Sequence, residues 1–204
     1  MKQLIAKQKN IAGSNMRKLI LLVHTSLDGF VAGEKGEFDN FNPGADNLEF
    51  VCSLTEKADA ALVGRVSYQM LERFWPTAHT RPNATTSEIK YSNWYNSAAK
   101  IIISKTLTET NLDNKTIISE DIFDKIIEIK RQPGKDILMF GSPTTFQYLV
   151  DLNLIDDYWI IVYPVFFGKG ITLFSLMKDK IKLKVLSTKQ LSNGEIALNY
   201  TVDK

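Results

Sequence analysis

From residue 18 onward the chain alternates short apolar blocks with segments in which apolar residues recur at helical spacing. Residues 18–24, 60–63, 100–104, 116–118, 137–140 and 157–164 are β-rich and largely apolar, as strands buried in a sheet must be. Between them, residues 46–58 carry Leu48, Val51, Cys52 and Thr55 on one helical face. Residues 66–74 read as a helix that stops at Trp75-Pro76, with an extended polar loop after it, and 87–97 as a further helical piece. Residues 122–129 form an amphipathic helix ended by Arg131, Gln132, Pro133 and Gly134. A turn at 26–29 precedes a short extended piece, 30–32, and a polar loop spans 33–44. Residues 182–188 and 196–202 pair as a hairpin around Ser192-Asn-Gly194. Strands alternating with helices predict a three-layer α/β domain, with a mixed, mostly parallel sheet and an antiparallel C-terminal hairpin. The domain takes in residues 16–204, and residues 1–15 read as an extension with no assigned function.

The stretch ILMFGSPTTFQYLV, 137–150, has the most chemical content. A strand runs through Gly141-Ser-Pro-Thr-Thr directly into a helical pattern. Ser142 suits the cap, Pro143 suits a first turn that has no use for its missing N–H, and Gly141 permits an unusual backbone angle. A helix start of this kind holds free amide donors and partial positive charge, and so accepts phosphate without a basic side chain. Taken alone it is also an ordinary strand-to-helix turn.

Composition narrows the partners. The 25 Lys and Arg against 23 Asp and Glu leave a formal charge of +2, with no like-charged block to bind nucleic acid. One cysteine, Cys52, and two histidines, His24 and His79, cannot build a disulfide framework or a His/Cys metal cluster, so no metal is expected. Cys52 reads as a small buried hydrophobe. No apolar run nears the roughly 20 residues that span a bilayer, and residues 19–23 are too short for a signal-peptide core. No membrane association and a cytoplasmic location are the expectation.

In open α/β sheets ligands collect at the carboxyl ends of parallel strands. Three such ends share a theme. Gly64-Arg-Val-Ser67 offers a helix start, a guanidinium and a hydroxyl; Ser104-Lys105 offers a hydroxyl and an ammonium; Gly141 to Thr145 offers amides and hydroxyls. Arg grips phosphate through parallel hydrogen bonds and Lys acts as a point charge. Each alone reads equally as solvated surface; together they suit several phosphates. Neither Gly-X-Gly-X-X-Gly nor a Walker A pattern is present, so an ordinary Rossmann or P-loop site is excluded.

SLDGFVA at 26–32, LVGRVSYQMLERFWP at 62–76, IISKTL at 102–107 and GSPTTFQYLVDLNLIDDYWIIVYPVFFGKGITLF at 141–174 occur in register. In that order the chain resembles the bacterial dihydrofolate-reductase-like family that includes the C-terminal reductase domain of riboflavin biosynthesis, the RibD C-terminal domain. The resemblance implies an NADPH-binding homodimer that passes hydride to a small, planar heterocyclic acceptor, dihydrofolate-like or like the pyrimidine of the riboflavin pathway's 5-amino-6-(5-phosphoribosylamino)uracil reductase. By motif it assigns Gly64, Arg65 and Ser67 to cofactor phosphates, and Ser104 and Lys105 to the adenosine 2′-phosphate, favouring NADPH over NADH. Gly141, Ser142, Thr144 and Thr145 go to the pyrophosphate and nicotinamide, and Val31 and Ala32 to the strand exit beside the nicotinamide. Many relatives have Gly-Gly where this chain has Gly141-Ser142.

Hydride transfer needs a proton source in the cleft. Asp28, Asp46 and Glu49 are alternative candidates: dihydrofolate reductases place an acid early in the first helix, where Asp46 and Glu49 lie. Asp28 reads equally as a turn residue and Asp46 as a helix-start charge. Phe30, Phe38, Phe41, Trp75 and Trp94 are candidates to line a flat pocket. The competing reading is a non-catalytic dinucleotide-binding or interaction module that keeps the fold.

Overall fold

The structure is a computed structural model that describes residues 16–38, 41–108, 113–175, 177 and 179–203; the extension at 1–15 lies outside the described residues. Its elements in chain order are β1 (Leu19–Ser26), β2 (Phe30–Ala32), α1 (Asn47–Thr55), β3 (Ala58–Gly64), α2 (Arg65–Glu72), α3 (Trp75–Ala78), α4 (Thr86–Ser97), β4 (Ala99–Ile103), β5 (Lys115–Ile118), α5 (Ile122–Arg131), β6 (Asp136–Phe140), α6 (Pro143–Asp151), β7 (Asp157–Tyr163), β8 (Ile171–Thr172), β9 (Leu183–Gln190) and β10 (Ile196–Val202).

An 8-stranded sheet runs β5-β4-β3-β6-β1-β7-β10-β9, and β2 pairs with β8 in a separate two-stranded ribbon. Every neighbouring pair from β5 to β7 is parallel, whereas β7/β10 and β10/β9 are antiparallel. The mixed α/β architecture is therefore the one the apolar blocks predict. Parallel strands joined by helices are covered on both faces, which is why they read as continuous apolar runs.

Alternation along β1 sorts the core into two layers. Leu19, Leu21 and Val23 meet Ile126, Phe146, Leu149 and Tyr158 on the side of α5 and α6. Leu22 meets Phe50, Leu54, Tyr91, Tyr95 and Tyr163 on the side of α1 and α4. Cys52 lies buried in this second layer, as expected of a small hydrophobe, with Sγ donating to the Ser87 carbonyl at 3.4 Å.

The largest local departure from the sequence reading is at Trp75-Pro76. In place of a helix stop, these residues open the short helix α3, whose first turn tolerates proline because no intrahelical acceptor awaits its N–H. Trp75 packs against Tyr91 with ring centroids 4.2 Å apart and planes tilted by 51°, which anchors the turn to α4. The start of α4 is fixed by a reciprocal capping box between Thr85 and Glu88. No helix among the described residues is long and apolar enough to cross a membrane.

Candidate active site

Two strand-to-helix junctions meet at the carboxyl end of the sheet. β3 passes into α2 at Gly64 and neighbouring β6 passes into α6 at Ser142, and neither helix start carries a side-chain cap. By helix geometry the amides of Arg65, Val66 and Ser67, and those of Thr144 and Thr145, have no intrahelical acceptor. Ser142 thus occupies the cap position without capping: its hydroxyl lies 3.3 Å from Thr145 Oγ1 instead. Gly141 has φ +51°, in the left-handed region that glycine tolerates, and the Gly141–Ser142 peptide is cis.

The junctions touch. A Cβ added to Gly64 would overlap Thr145 Oγ1 and stand 3.2 Å from Ser142 Oγ, and one added to Gly141 would come within 3.3 Å of Ser67 Oγ. Gly64, Ser67, Gly141, Ser142 and Thr145 are thereby brought into one cradle of hydroxyls and free amides. Thr144 is exposed on the first turn of α6 beside it. Arg65 is exposed and donates to Gln69 Oε1 at 3.1 Å, one turn along α2. The β3/β4 ladder pairs Gly64 with Ile103, which puts Ser104 next to the start of α2. Ser104 Oγ accepts from the amides of Thr106 and Leu107 at 3.1 and 2.9 Å, a tight turn that leaves Lys105 exposed. Val31 and Ala32 are buried on β2, Val31 in the α5/α6 layer of the core.

On the α1 face of the same sheet end lies a buried polar chain. Asn47 Nδ2 donates to Tyr163 Oη at 3.1 Å and to Glu195 Oε1 at 3.3 Å, and Tyr163 Oη lies 2.9 Å from His24 Nδ1. Glu195 is fully buried; Oε1 also accepts from the Gly44 amide at 2.6 Å and Oε2 from the Asn193 amide at 3.2 Å. Aromatic rings continue the surface, Phe41 standing 4.7 Å from Tyr163 and 4.9 Å from Phe167. Phe30 stacks on Phe167 at 6.5 Å.

Residues 17–197 match the model of the RibD C-terminal domain. The chain belongs to the RibD C-terminal domain family. It is 29% identical over 187 residues to the uncharacterized protein YyaP of Bacillus subtilis (strain 168), which covers 90% of this chain and 94% of that one. A putative riboflavin biosynthesis protein from Shewanella sp. PV-4 shares the fold at a TM-score of 0.70 and 21% identity, covering 92% of this chain and 99% of that one. So does a dihydrofolate reductase from Enterococcus faecalis complexed with NADP(H), at a TM-score of 0.62 and 12% identity, covering 92% and 97%. The Thermotoga maritima deaminase/5-amino-6-(5-phosphoribosylamino)uracil reductase aligns over 98% of this chain but only 60% of its own, at a TM-score of 0.66 and 15% identity. Reductases thus populate the family and its fold.

In this RibD C-terminal domain the three candidate carboxylates do not converge. Asp28 accepts from Ser26 Oγ at 2.6 Å and from the amides of Phe167 and Gly168 at 3.1 and 2.8 Å. Its desolvation raises the pKa, but these hydrogen bonds outweigh that and hold it below the usual carboxylate range. Asp46 accepts from the hydroxyl and amide of Ser192, and those bonds likewise lower it. Glu49 is exposed. The residue of α1 that faces the polar chain is the neutral Asn47, one position from Asp46. Among the aromatics, Phe30 and Phe41 line this region, whereas Trp94 donates to the Ala58 carbonyl at the far end of β3 and Phe38 is largely exposed. No cluster of His, Cys, Asp or Glu among the described residues could hold a metal ion.

His24, Asn47, Tyr163 and Glu195 escaped the sequence reading. The available signal was a histidine within an apolar strand, and a polar first residue on the inner face of α1.

Proposed function

We propose that this RibD C-terminal domain is an NADPH-dependent reductase acting on a small, planar heterocyclic acceptor. The observation that carries the reading is the contact between the two uncapped helix starts at Gly64 and Ser142. Such an arrangement aims several free amides and two helix dipoles at one place, the donor set a pyrophosphate requires. Thr145, Ser142 and Ser67 add hydroxyls to it, and the absence of a side chain at Gly64 is what lets the junctions close. Arg65 and Lys105, exposed at neighbouring strand ends, supply the positive charge, Lys105 being the residue for an additional 2′-phosphate. When bound, the cofactor supplies hydride. The protein's part is to fix its phosphates at the β3 and β6 exits and to hold the acceptor against the sheet end, near His24 and the Phe41–Phe167 surface.

Isothermal calorimetry tests this directly. Wild-type protein is expected to bind NADPH, and Arg65→Ala to weaken it about tenfold or more, the loss typical of a charged hydrogen bond. Lys105→Ala should narrow the preference for NADPH over NADH. Absence of binding heat from folded wild-type protein would overturn the reading. Binding without oxidation of NADPH by any pterin, pyrimidine or quinone would point instead to a non-catalytic dinucleotide-binding module.

A further inference from the structure

The polar chain ends on His24, and one direction of its hydrogen bonds pairs every buried proton in it. Asn47 is an amide donor, so Tyr163 Oη accepts from it. The one other polar partner of Tyr163 Oη among the described residues is His24 Nδ1, and only donation to it gives the buried phenolic proton a partner. A ring that accepts at Nδ1 carries its own proton on Nε2. Glu195 holds the far end. Its carboxylate is anchored by the backbone amides of Gly44 and Asn193, and Oε1 orients the Asn47 amide from which the sequence of donations starts.

The sheet sets where His24 stands. The β1/β6 ladder ends at Leu22 opposite Phe140, so His24 lies two residues beyond it, level with the Gly141–Ser142 turn. Leu22 belongs to the α1 face, and alternation gives His24 the same face. It is partly exposed, whereas Tyr163 behind it is buried.

We infer that His24 presents a fixed Nε2–H donor to the acceptor, positioned by Tyr163, Asn47 and Glu195, and that the acceptor offers a carbonyl oxygen or ring-nitrogen lone pair to it. This rests on the reductase reading. The group is a donor and not an acid. Burial pushes His24 down to about 4, against a weaker upward pull from Glu195, so the ring is neutral near pH 7. Burial raises Tyr163, with Glu195 adding to it, so the phenol keeps its proton. Ionisable groups facing His24 are Tyr163 from β7 and Glu195 from the β9–β10 turn; α1 contributes neutral Asn47, while Asp46 is engaged with Ser192 and Asp28 with the Phe167 and Gly168 amides. A reduced nicotinamide held at the β3 and β6 exits would supply hydride to the acceptor's C=O or C=N carbon. The π pair would then move onto oxygen or nitrogen, where the His24 Nε2–H would stabilise the charge, and water would supply the proton.

Nitrogen-15 spectra of histidine-labelled protein decide the point, with two histidines to resolve and His24→Gln to assign the signal. His24 is expected to show a protonated Nε2 and an unprotonated Nδ1 at pH 7, unchanged at pH 5.5. Tyr163→Phe removes the donor to Nδ1 and should abolish this tautomer preference while the protein stays folded. With saturating NADP+, benzamide should shift the His24 Nε2–H signal and its isostere benzamidinium, which has donors only, should not. A proton on Nδ1, an imidazolium at pH 7, or equal or absent responses to the two probes would overturn the inference. Failure of NADP+ to bind at all would instead sink the reductase reading, leaving the tautomer result to stand or fall on the Tyr163→Phe comparison.

Discussion

At the scale of single residues, Gly64 has no room for a side chain unless its neighbours move. Its φ of −80° is open to any amino acid, so the constraint is space alone. In Gly64→Ala the new methyl meets Thr145 Oγ1, and overpacking of this kind costs about 1–3 kcal/mol. Urea denaturation should show that loss in Gly64→Ala and a smaller one in Gly64→Ala/Thr145→Ala, since Thr145→Ala removes the obstructing hydroxyl. Additive effects in the double-mutant cycle would mean the two junctions do not touch. Gly64, Ser67, Gly141, Ser142 and Thr145 were legible beforehand because each sits at a strand-to-helix junction, where local backbone rules and the family pattern coincide. Asn47, Tyr163 and Glu195 were not. Tyr163 reads as the end of an apolar strand, Glu195 as a solvated charge after Asn-Gly, and their union depends on contacts across 116 and 148 residues from Asn47. On α1 the phase of the helix turns Asn47 inward and leaves Asp46 to Ser192, a distinction of one residue that periodicity does not resolve.

Among the elements, the β1–β2 turn is joined to the loop before β8 by Asp28, whose carboxylate gathers two amides from across 139 and 140 residues. The carboxylate is a clamp on the loop that carries Phe167. Asp28→Asn keeps the shape but weakens the acceptor, and hydrogen exchange at Phe167 and Gly168 should accelerate while that of β4 and β5 does not. Because the folded-state pKa of Asp28 is depressed, its contribution is present above the unfolded carboxylate pKa and lost as pH falls through the lower folded value. Protection of the two amides, taken relative to their intrinsic exchange rates, should therefore fall in acid, and Asp28→Asn should lack that fall. The elements themselves were largely legible, since parallel strands covered on both faces must be apolar throughout. Two elements escaped that reading: α3, where a proline read as a stop serves as a start, and the two-residue β8, too short to show a pattern.

For the molecule as a whole, the half-buried imidazole of His24 makes folding pH-dependent. His24 binds a proton at about 4 when folded against an ordinary value of 6.5, so below 6.5 the unfolded chain takes up more protons and stability falls with pH. With each pKa unit contributing about 1.4 kcal/mol, the loss attributable to His24 between pH 7 and 4.5 is on the order of 2–3 kcal/mol. Chemical denaturation of wild type and His24→Gln at both pH values measures it as the difference in slope; equal slopes would show that His24 titrates normally. The order of the sheet carries a further consequence. Glu195 closes on Gly44 and Asn47 from the turn between the two antiparallel strands that are last in the chain. During synthesis the cradle of hydroxyls and amides, whose last residue is Thr145, could therefore close before the polar chain at His24 is in place, and the β9–β10 hairpin acts as the latch that orders that chain.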